Sequence, residues 1–174
     1  MSSIVIARLF GIKVVGEYAL ALAPFGALAT LSSVREQAAL VRELSTLPPR
    51  APRVTGLFTA VLAFSIALTV VVAALVSGVT YLLFRGPIGR PDLFGPALAL
   101  LGGFIVATNT SWNLDMVFAA FRAGRQLFWI RLLQAVSFMV LATVAGLYSD
   151  TVWSLVLATI GSYATGLAHR IIAV

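Results

Sequence analysis

The stretch VTGLFTAVLAFSIALTVVVAALVSG, residues Val54 to Gly78, decides the fold because it holds no ionisable side chain. A helix that crosses the hydrocarbon layer of a bilayer needs about 20 mostly apolar residues, since lipid offers no partners to the backbone polar groups. The stretch meets that length and exceeds what a buried helix of a small soluble domain requires. It therefore predicts a transmembrane helix.

The composition of the whole chain agrees with this interpretation. Of its 174 residues, 60% are hydrophobic and only 10% are charged, and the mean hydropathy is +1.03. A soluble domain carries charge at roughly a quarter of its positions. The composition thus predicts an integral membrane protein, in which the few charges mark the loops.

Four more apolar stretches are long enough to be considered as spans. They cover residues 17–34, 93–112, 128–148 and 151–168. The stretch 93–112 contains Pro96, Gly102 and Gly103, which membrane helices tolerate and which predict a local kink. We expect an all-α, polytopic membrane protein with about five transmembrane helices and a single domain over residues 1–174. Residues before Glu17 would form a surface helix or the tail of a missing span.

A charged segment over residues 35–47 separates the first two spans. Apolar residues recur on one side of a helix here, opposite Arg35, Glu36, Arg42 and Glu43. We expect an amphipathic cytoplasmic helix that extends the first span or lies along the membrane surface. The prolines that follow it should end this helix and form a rigid hinge.

The distribution of basic residues predicts the orientation, because Lys and Arg in short loops are retained on the cytoplasmic side. Eight lie at one membrane face: Arg35, Arg42, Arg50, Arg53, Arg122, Arg125, Arg131 and Arg170. Four lie at the other: Arg8, Lys13, Arg85 and Arg90. We therefore place the N-terminus outside and the C-terminus inside. The net charge of +6 is explained by topology and by contact with anionic membrane lipids, without a nucleic-acid partner.

The chemistry-bearing residues are few. The chain has no cysteine and one histidine, which argues against thiolate catalysis, a Ser-His triad and a multi-histidine metal site. It also lacks the glycine-rich motifs that bind nucleotide phosphates. We predict no enzymatic activity, no cofactor and no metal.

Asp115 is the best candidate for a functional residue within the apolar stretches. An ionisable group at membrane depth costs a few kcal/mol unless it faces a cavity or a partner. In the alternative interpretation, Asp115 is an ordinary loop aspartate close to Arg122, or the N-cap of a short following helix.

Three segments resemble a known family. In ARLFGIKVVGEYAL, the residues Arg8, Gly11, Gly16 and Tyr18 follow a pattern seen in polysaccharide and O-antigen flippases of the multidrug/oligosaccharidyl-lipid/polysaccharide exporter superfamily. The stretch VREL, residues 41–44, is similar to the basic loop that precedes the third span of those proteins. The stretch VFAAFRAGRQLFWIRLLQAV, residues 117–136, resembles the link between their fourth and fifth spans.

The resemblance implies a transporter of the cytoplasmic membrane that moves a polyprenyl-linked glycan between leaflets. The chain would correspond to spans two to six of a six-helix bundle, so it would be a truncated product or would act with a second transporter half. The residues expected to meet the substrate are Asp115 and the arginines Arg35, Arg42, Arg122 and Arg125, whose guanidinium groups match phosphate oxygens. These arginines could instead serve only as topology determinants. A small accessory membrane subunit without its own activity is the alternative function.

Overall fold

The computed structural model describes residues 2–32, 36–48 and 51–173, and within them it contains only helices and turns. The helices are α1 (Ser2–Ser32), α2 (Glu36–Leu44), α3 (Pro52–Arg85), α4 (Phe94–Gly103), α5 (Asn109–Ala120), α6 (Gly124–Tyr148) and α7 (Val152–Ala173). Five helical segments are long and apolar enough to cross a membrane. The prediction of an all-α, multi-pass membrane protein is confirmed.

The first helix begins well before the predicted boundary. Its membrane-crossing segment is Ile6–Leu31, whereas the sequence suggested residues 17–34. The helix is broken at Gly11, which has φ 76° and ψ 158°, a conformation that glycine reaches without steric cost. Just before this break, Phe10 is buried against Ala142 of α6 and Leu155 of α7. This apolar contact holds residues upstream of Glu17 on the bundle.

The span predicted over residues 93–112 is also longer, covering Pro91–Ala120. A 3₁₀ turn (Pro91–Leu93) leads into α4, and a π-helical turn (Phe104–Thr108) joins α4 to α5 without a loop. The irregularity expected from the adjacent glycines is this π turn, which begins directly after Gly103. The helix continues past residue 112, and Asn109, Asn113 and Asp115 each find a partner inside the bundle.

The remaining spans differ from the predictions mainly at their ends. The stretch predicted over 54–78 lies in Pro52–Arg85, which ends where Gly86 and Pro87 begin a turn. The stretches 128–148 and 151–168 lie in Gly124–Tyr148 and Val152–Ala173. The first of these helices begins earlier than predicted and includes Arg125, and the second ends later and includes Arg170. Arginine is compatible with both extensions, since its aliphatic stem can lie along an apolar surface.

The amphipathic segment predicted over residues 35–47 forms the short helix α2. Leu40 and Leu44 are buried, and the helix packs against α5 and α3. Arg42 is exposed on its other side. The link to α1 and part of the proline hinge lie outside the described residues.

The helices form an up-and-down bundle around α4, α5 and α7. The core contains Leu100, Phe104 and Val156, all of which are fully buried, whereas α3 and α6 expose large apolar side chains along most of their length. Such exposure fits helices that face lipid. We use the term "basic end" for the end of the bundle that carries α2, the α5–α6 turn and the C-terminus of α7.

An ionic clamp closes the opposite end. Arg90 donates to Glu17 of α1 at 2.7 Å and to Asp92 at 2.8 Å. These hydrogen bonds, to Asp92 first and Glu17 second, raise the pKa of the Arg90 guanidinium above its ordinary value. The clamp fixes α1 to the turn between α3 and α4.

Two adjacent glycines provide a test of this packing. A Cβ added at Gly103 would lie 2.9 Å from Cγ1 of Ile160, whereas a Cβ at Gly102 would meet nothing within 4 Å. We expect Gly103→Ala to destabilise the bundle by about 1–3 kcal/mol, the usual cost of overpacking. Gly102→Ala should leave stability unchanged or raise it. Thermal unfolding of both variants in detergent micelles checks this, and equal midpoints would contradict the described α4–α7 contact.

Candidate functional site

A polar cleft of about 520 Å³ lies between α1, α5, α6 and α7. Charged, amide and hydroxyl side chains line it together with aromatic rings. Its lining residues are Tyr18, Ser111, Trp112, Asp115, Arg131, Gln134, Ala135, Phe138, Thr159, Ser162, Tyr163 and Arg170. Asp115, Arg131 and Arg170 all lie within helical segments that are long and apolar enough to cross a membrane. The cleft therefore gathers charged groups from three of these segments.

One carboxylate and two guanidinium groups form the centre of the cleft. Arg170 donates to Asp115 through Nε at 2.6 Å and through Nη2 at 3.3 Å, so this pair is bidentate. Arg131 donates through Nη2 to Oδ2 of Asp115 at 3.1 Å. The three groups come from three helices, α7, α5 and α6. Their ion pairs therefore tie the bundle together near the basic end.

The two arginines differ sharply in their surroundings. The side chains of Arg170 and Asp115 are each 3% exposed, whereas that of Arg131 is 63% exposed. Arg170 also donates through Nη1 to Oε1 of Gln134 at 3.3 Å. Arg170 is thus enclosed and has several acceptors, while Arg131 stands at the mouth of the cleft with one.

The position of Gly166 allows this arrangement. A Cβ at Gly166 would lie 2.8 Å from Nη1 of Arg170 and 2.8 Å from Oε1 of Gln134. Only a residue without a side chain leaves room for the guanidinium and the amide to meet over α7. Gly166 therefore positions the buried half of the site.

Hydroxyl groups line the deeper part of the cleft. Tyr18 and Thr159 join their hydroxyls at 2.7 Å, and Thr159 gives its own proton to the carbonyl of Leu155. Tyr18 is then the donor of the pair, because a threonine hydroxyl has one proton. Ser111 is buried one turn before Asp115, and its Oγ has no hydrogen-bond partner in the structure. A buried hydroxyl without a partner carries a free-energy cost, which a bound polar group would remove.

A second polar network joins α5 to α3 on another side of the helix. Ser65 donates to Oδ1 of Asn109 at 2.9 Å, and Nδ2 of Asn109 donates to Thr69 at 3.1 Å. Asn113 donates to the carbonyl of Asn109 at 3.0 Å. These bonds keep the asparagines inside the bundle and explain why the helix runs on to Asp115.

The structure brings one of the predicted site residues into the cleft. Asp115 lies inside α5, so it is neither a loop residue near Arg122 nor a helix N-cap, and its partners are Arg131 and Arg170. Arg42, Arg122 and Arg125 are exposed at the basic end and do not line the cleft. Arg35 lies outside the described residues.

The residues that sequence reasoning missed are the arginine partners of Asp115. From the sequence, Arg131 and Arg170 count only among the basic residues of one membrane face. The sequence did contain an indication of this pairing. An arginine within an apolar stretch needs an acceptor, and Asp115 is the acidic residue nearest to both arginines in depth. Choosing between Arg122, Arg131 and Arg170 required the helix packing.

The guanidinium and hydroxyl groups of the cleft are suited to bind an anionic group that carries further polar groups beside it. No group of three or more metal-ligating His, Cys, Asp or Glu side chains occurs in the described parts of the chain.

Comparisons with protein-family models, with curated proteins and with solved structures find no match to this chain. The resemblance to the flippases therefore stays a prediction.

Substitution of Gly166 tests the geometry of the site. We expect Gly166→Ala to displace Arg170 or Gln134 and to lower stability by about 1–3 kcal/mol, although alanine favours helix by up to about 1 kcal/mol. Adding Gln134→Ala should recover part of the loss, because it clears space beside the new methyl group. Unfolding midpoints in micelles measure both variants, and strictly additive losses would contradict the described contact.

Proposed function

We propose that this chain is a membrane transporter, or part of one, that moves a lipid-linked oligosaccharide or polysaccharide precursor across the cytoplasmic membrane. The observation that carries the proposal is the polar cleft with its arginine pair inside an apolar helical bundle. Membrane proteins keep ionisable groups at this depth where a substrate or ion passes. The resemblance of the α1 and α5–α6 segments to polysaccharide flippases supports the same conclusion.

The charge of the cleft favours an anionic substrate. Two guanidinium groups face one carboxylate, so the cleft has an excess of one positive charge. Guanidinium groups bind phosphate oxygens through paired, charge-assisted hydrogen bonds. A phosphate-linked headgroup satisfies this requirement.

The rest of the lining suits a polar headgroup such as a sugar. Ser111, Trp112, Ser162 and Tyr163 are all among the residues that line this cleft. Sugar hydroxyls are both donors and acceptors, so they can form hydrogen bonds with serine hydroxyls and with the N–H groups of the arginines that have no other acceptor. In the cleft, a polar headgroup would thereby replace the hydrogen bonds that it made to water.

The mouth of the cleft suits a substrate that is anchored in lipid. Among the lining residues, Arg131 and Ala135 are exposed, and they lie one turn apart on α6. Arg131 is seven residues from the start of α6, about 10 Å along a helix that rises about 1.5 Å per residue. The cleft thus opens at the flank of the bundle, where a headgroup could enter while its lipid chain stays in the membrane. The excess of arginine at the basic end supports placing this end in the cytoplasm.

Translocation by proteoliposomes tests the proposal. The probe is a fluorescent polyprenyl-diphosphate-linked monosaccharide in the outer leaflet, with lectin accessibility as the readout of its movement. We expect faster movement with the chain, or with the membrane complex that carries it in its native membrane, than in protein-free liposomes. Absence of movement in both preparations contradicts the proposal. If only the complex is active and cleft variants leave its rate unchanged, the chain is an accessory subunit.

A matched pair of variants connects the movement to the cleft. Ala135→Trp should fill the mouth and slow translocation at least tenfold. Val136→Trp adds the same bulk at the same depth, but residue 136 is exposed and does not line the cleft. It should leave the rate unchanged, and equal effects of the two variants would argue against passage through the cleft.

A further inference from the structure

We infer that Arg131 exchanges partners: it leaves Asp115 to bind the phosphate group of an anionic membrane lipid, while Arg170 stays paired with Asp115. Asp115 is then an internal competitor of the ligand, and the Asp115–Arg131 bond is the resting state of the site. This inference rests on the proposed function only in taking the cleft as the ligand site. It concerns binding, which can be measured without translocation.

The unequal partnership of the two arginines supports this division of roles. Arg170 has two hydrogen bonds to Asp115, a third to Gln134 and almost no exposure. Removing it from the carboxylate would leave buried charges without partners, which is costly. Arg131 has one hydrogen bond to Asp115 and a largely exposed side chain. Of the two guanidinium groups, Arg131 is the one that can move without breaking the buried pair.

The charges also favour exchange. Oδ2 of Asp115 accepts from both Arg131 and Arg170, so the carboxylate keeps its buried partner when Arg131 leaves. A phosphate monoester or a diphosphate at the mouth offers Arg131 more acceptor oxygens and more negative charge than the carboxylate that Asp115 shares with Arg170. The lateral position of Arg131 places that phosphate among lipid headgroups rather than in the aqueous turn that carries Arg122 and Arg125.

Ser111 supplies a second contact deeper in the cleft. Ser111 lines the cleft together with Arg131, and its Oγ is buried and has no hydrogen-bond partner among the described residues. A ligand that bonds Arg131 through phosphate and Ser111 through an adjoining hydroxyl or phosphate oxygen would satisfy both groups. The site therefore selects a phosphate carried on a polar, lipid-anchored headgroup.

Tryptophan quenching in lipid nanodiscs tests the inference. In a Trp129→Phe/Trp153→Phe background, Trp112 is the single tryptophan and lies in the cleft. The nanodiscs contain phosphatidylcholine with increasing phosphatidic acid, spin-labelled close to the glycerol. We expect saturable quenching of Trp112 that spin-labelled phosphatidylcholine does not produce at the same content. Excess soluble inorganic phosphate should not displace the lipid.

Partner exchange predicts a different change in lipid affinity for each of four variants. Arg131→Gln should weaken binding about 10- to 100-fold, the loss expected for a charged hydrogen bond, and Ser111→Ala about 2- to 10-fold. Arg122→Gln, which removes an exposed arginine of the same end, should change nothing. Asp115→Asn should tighten binding, because it removes the competitor; this is measured on the fraction that elutes as a folded monodisperse species.

Three results would overturn the inference. The first is equal weakening by Arg131→Gln and Arg122→Gln, which would reflect general surface charge. The second is weakening by folded Asp115→Asn, which would make the carboxylate a positioning group. The third is displacement of the lipid by inorganic phosphate, which would make the ligand a soluble anion. Arg131-dependent lipid binding without translocation would leave this inference standing and remove the proposed function.

Discussion

The buried pair of Asp115 and Arg170 is the interaction on which the rest of the structure depends. A carboxylate and a guanidinium that are both almost fully enclosed in an apolar bundle must neutralise each other, since either alone would leave a buried charge. Their side chains come from α5 and α7, so the two central helices can pack in only one register. The pair costs desolvation energy, and its use is to specify that register and to hold charge at membrane depth.

Other features of the bundle follow from this constraint. Gly166 has no side chain because the guanidinium of Arg170 and the amide of Gln134 occupy that space. The segment that leads to Asp115 remains helical, and its network with α3 gives partners to both amide atoms of Asn109 and to the amide nitrogen of Asn113. The π turn at Phe104–Thr108 changes the direction of the side chains between α4 and α5. Apolar contacts between the helices then stabilise the arrangement that these polar contacts specify.

Much of the fold could be predicted from the sequence because lipid imposes a simple rule on apolar length. The helix containing Val54–Gly78 and the two that follow residue 124 are found where hydropathy places them. The rule fails where polar residues occur inside a span, since hydropathy interprets Asn109, Asn113 and Asp115 as an approaching loop. It fails again at Glu17, where the helix extends upstream because Phe10 packs on Gly146. For the site, the sequence pointed to Asp115, but its partners depend on helix rotation, which apolar spans leave undetermined.

The most direct test of this account is a double-mutant cycle at Asp115 and Arg170, followed by reversible unfolding in micelles. Asp115→Leu should cost about 3–5 kcal/mol, because it leaves the buried Arg170 without a carboxylate. Arg170→Leu should cost less, because Asp115 keeps its ion pair with Arg131. The double variant should cost much less than the sum, since apolar side chains then replace both members of the buried pair. Additive losses would contradict the central claim, because they would show that the two residues do not interact inside the folded bundle.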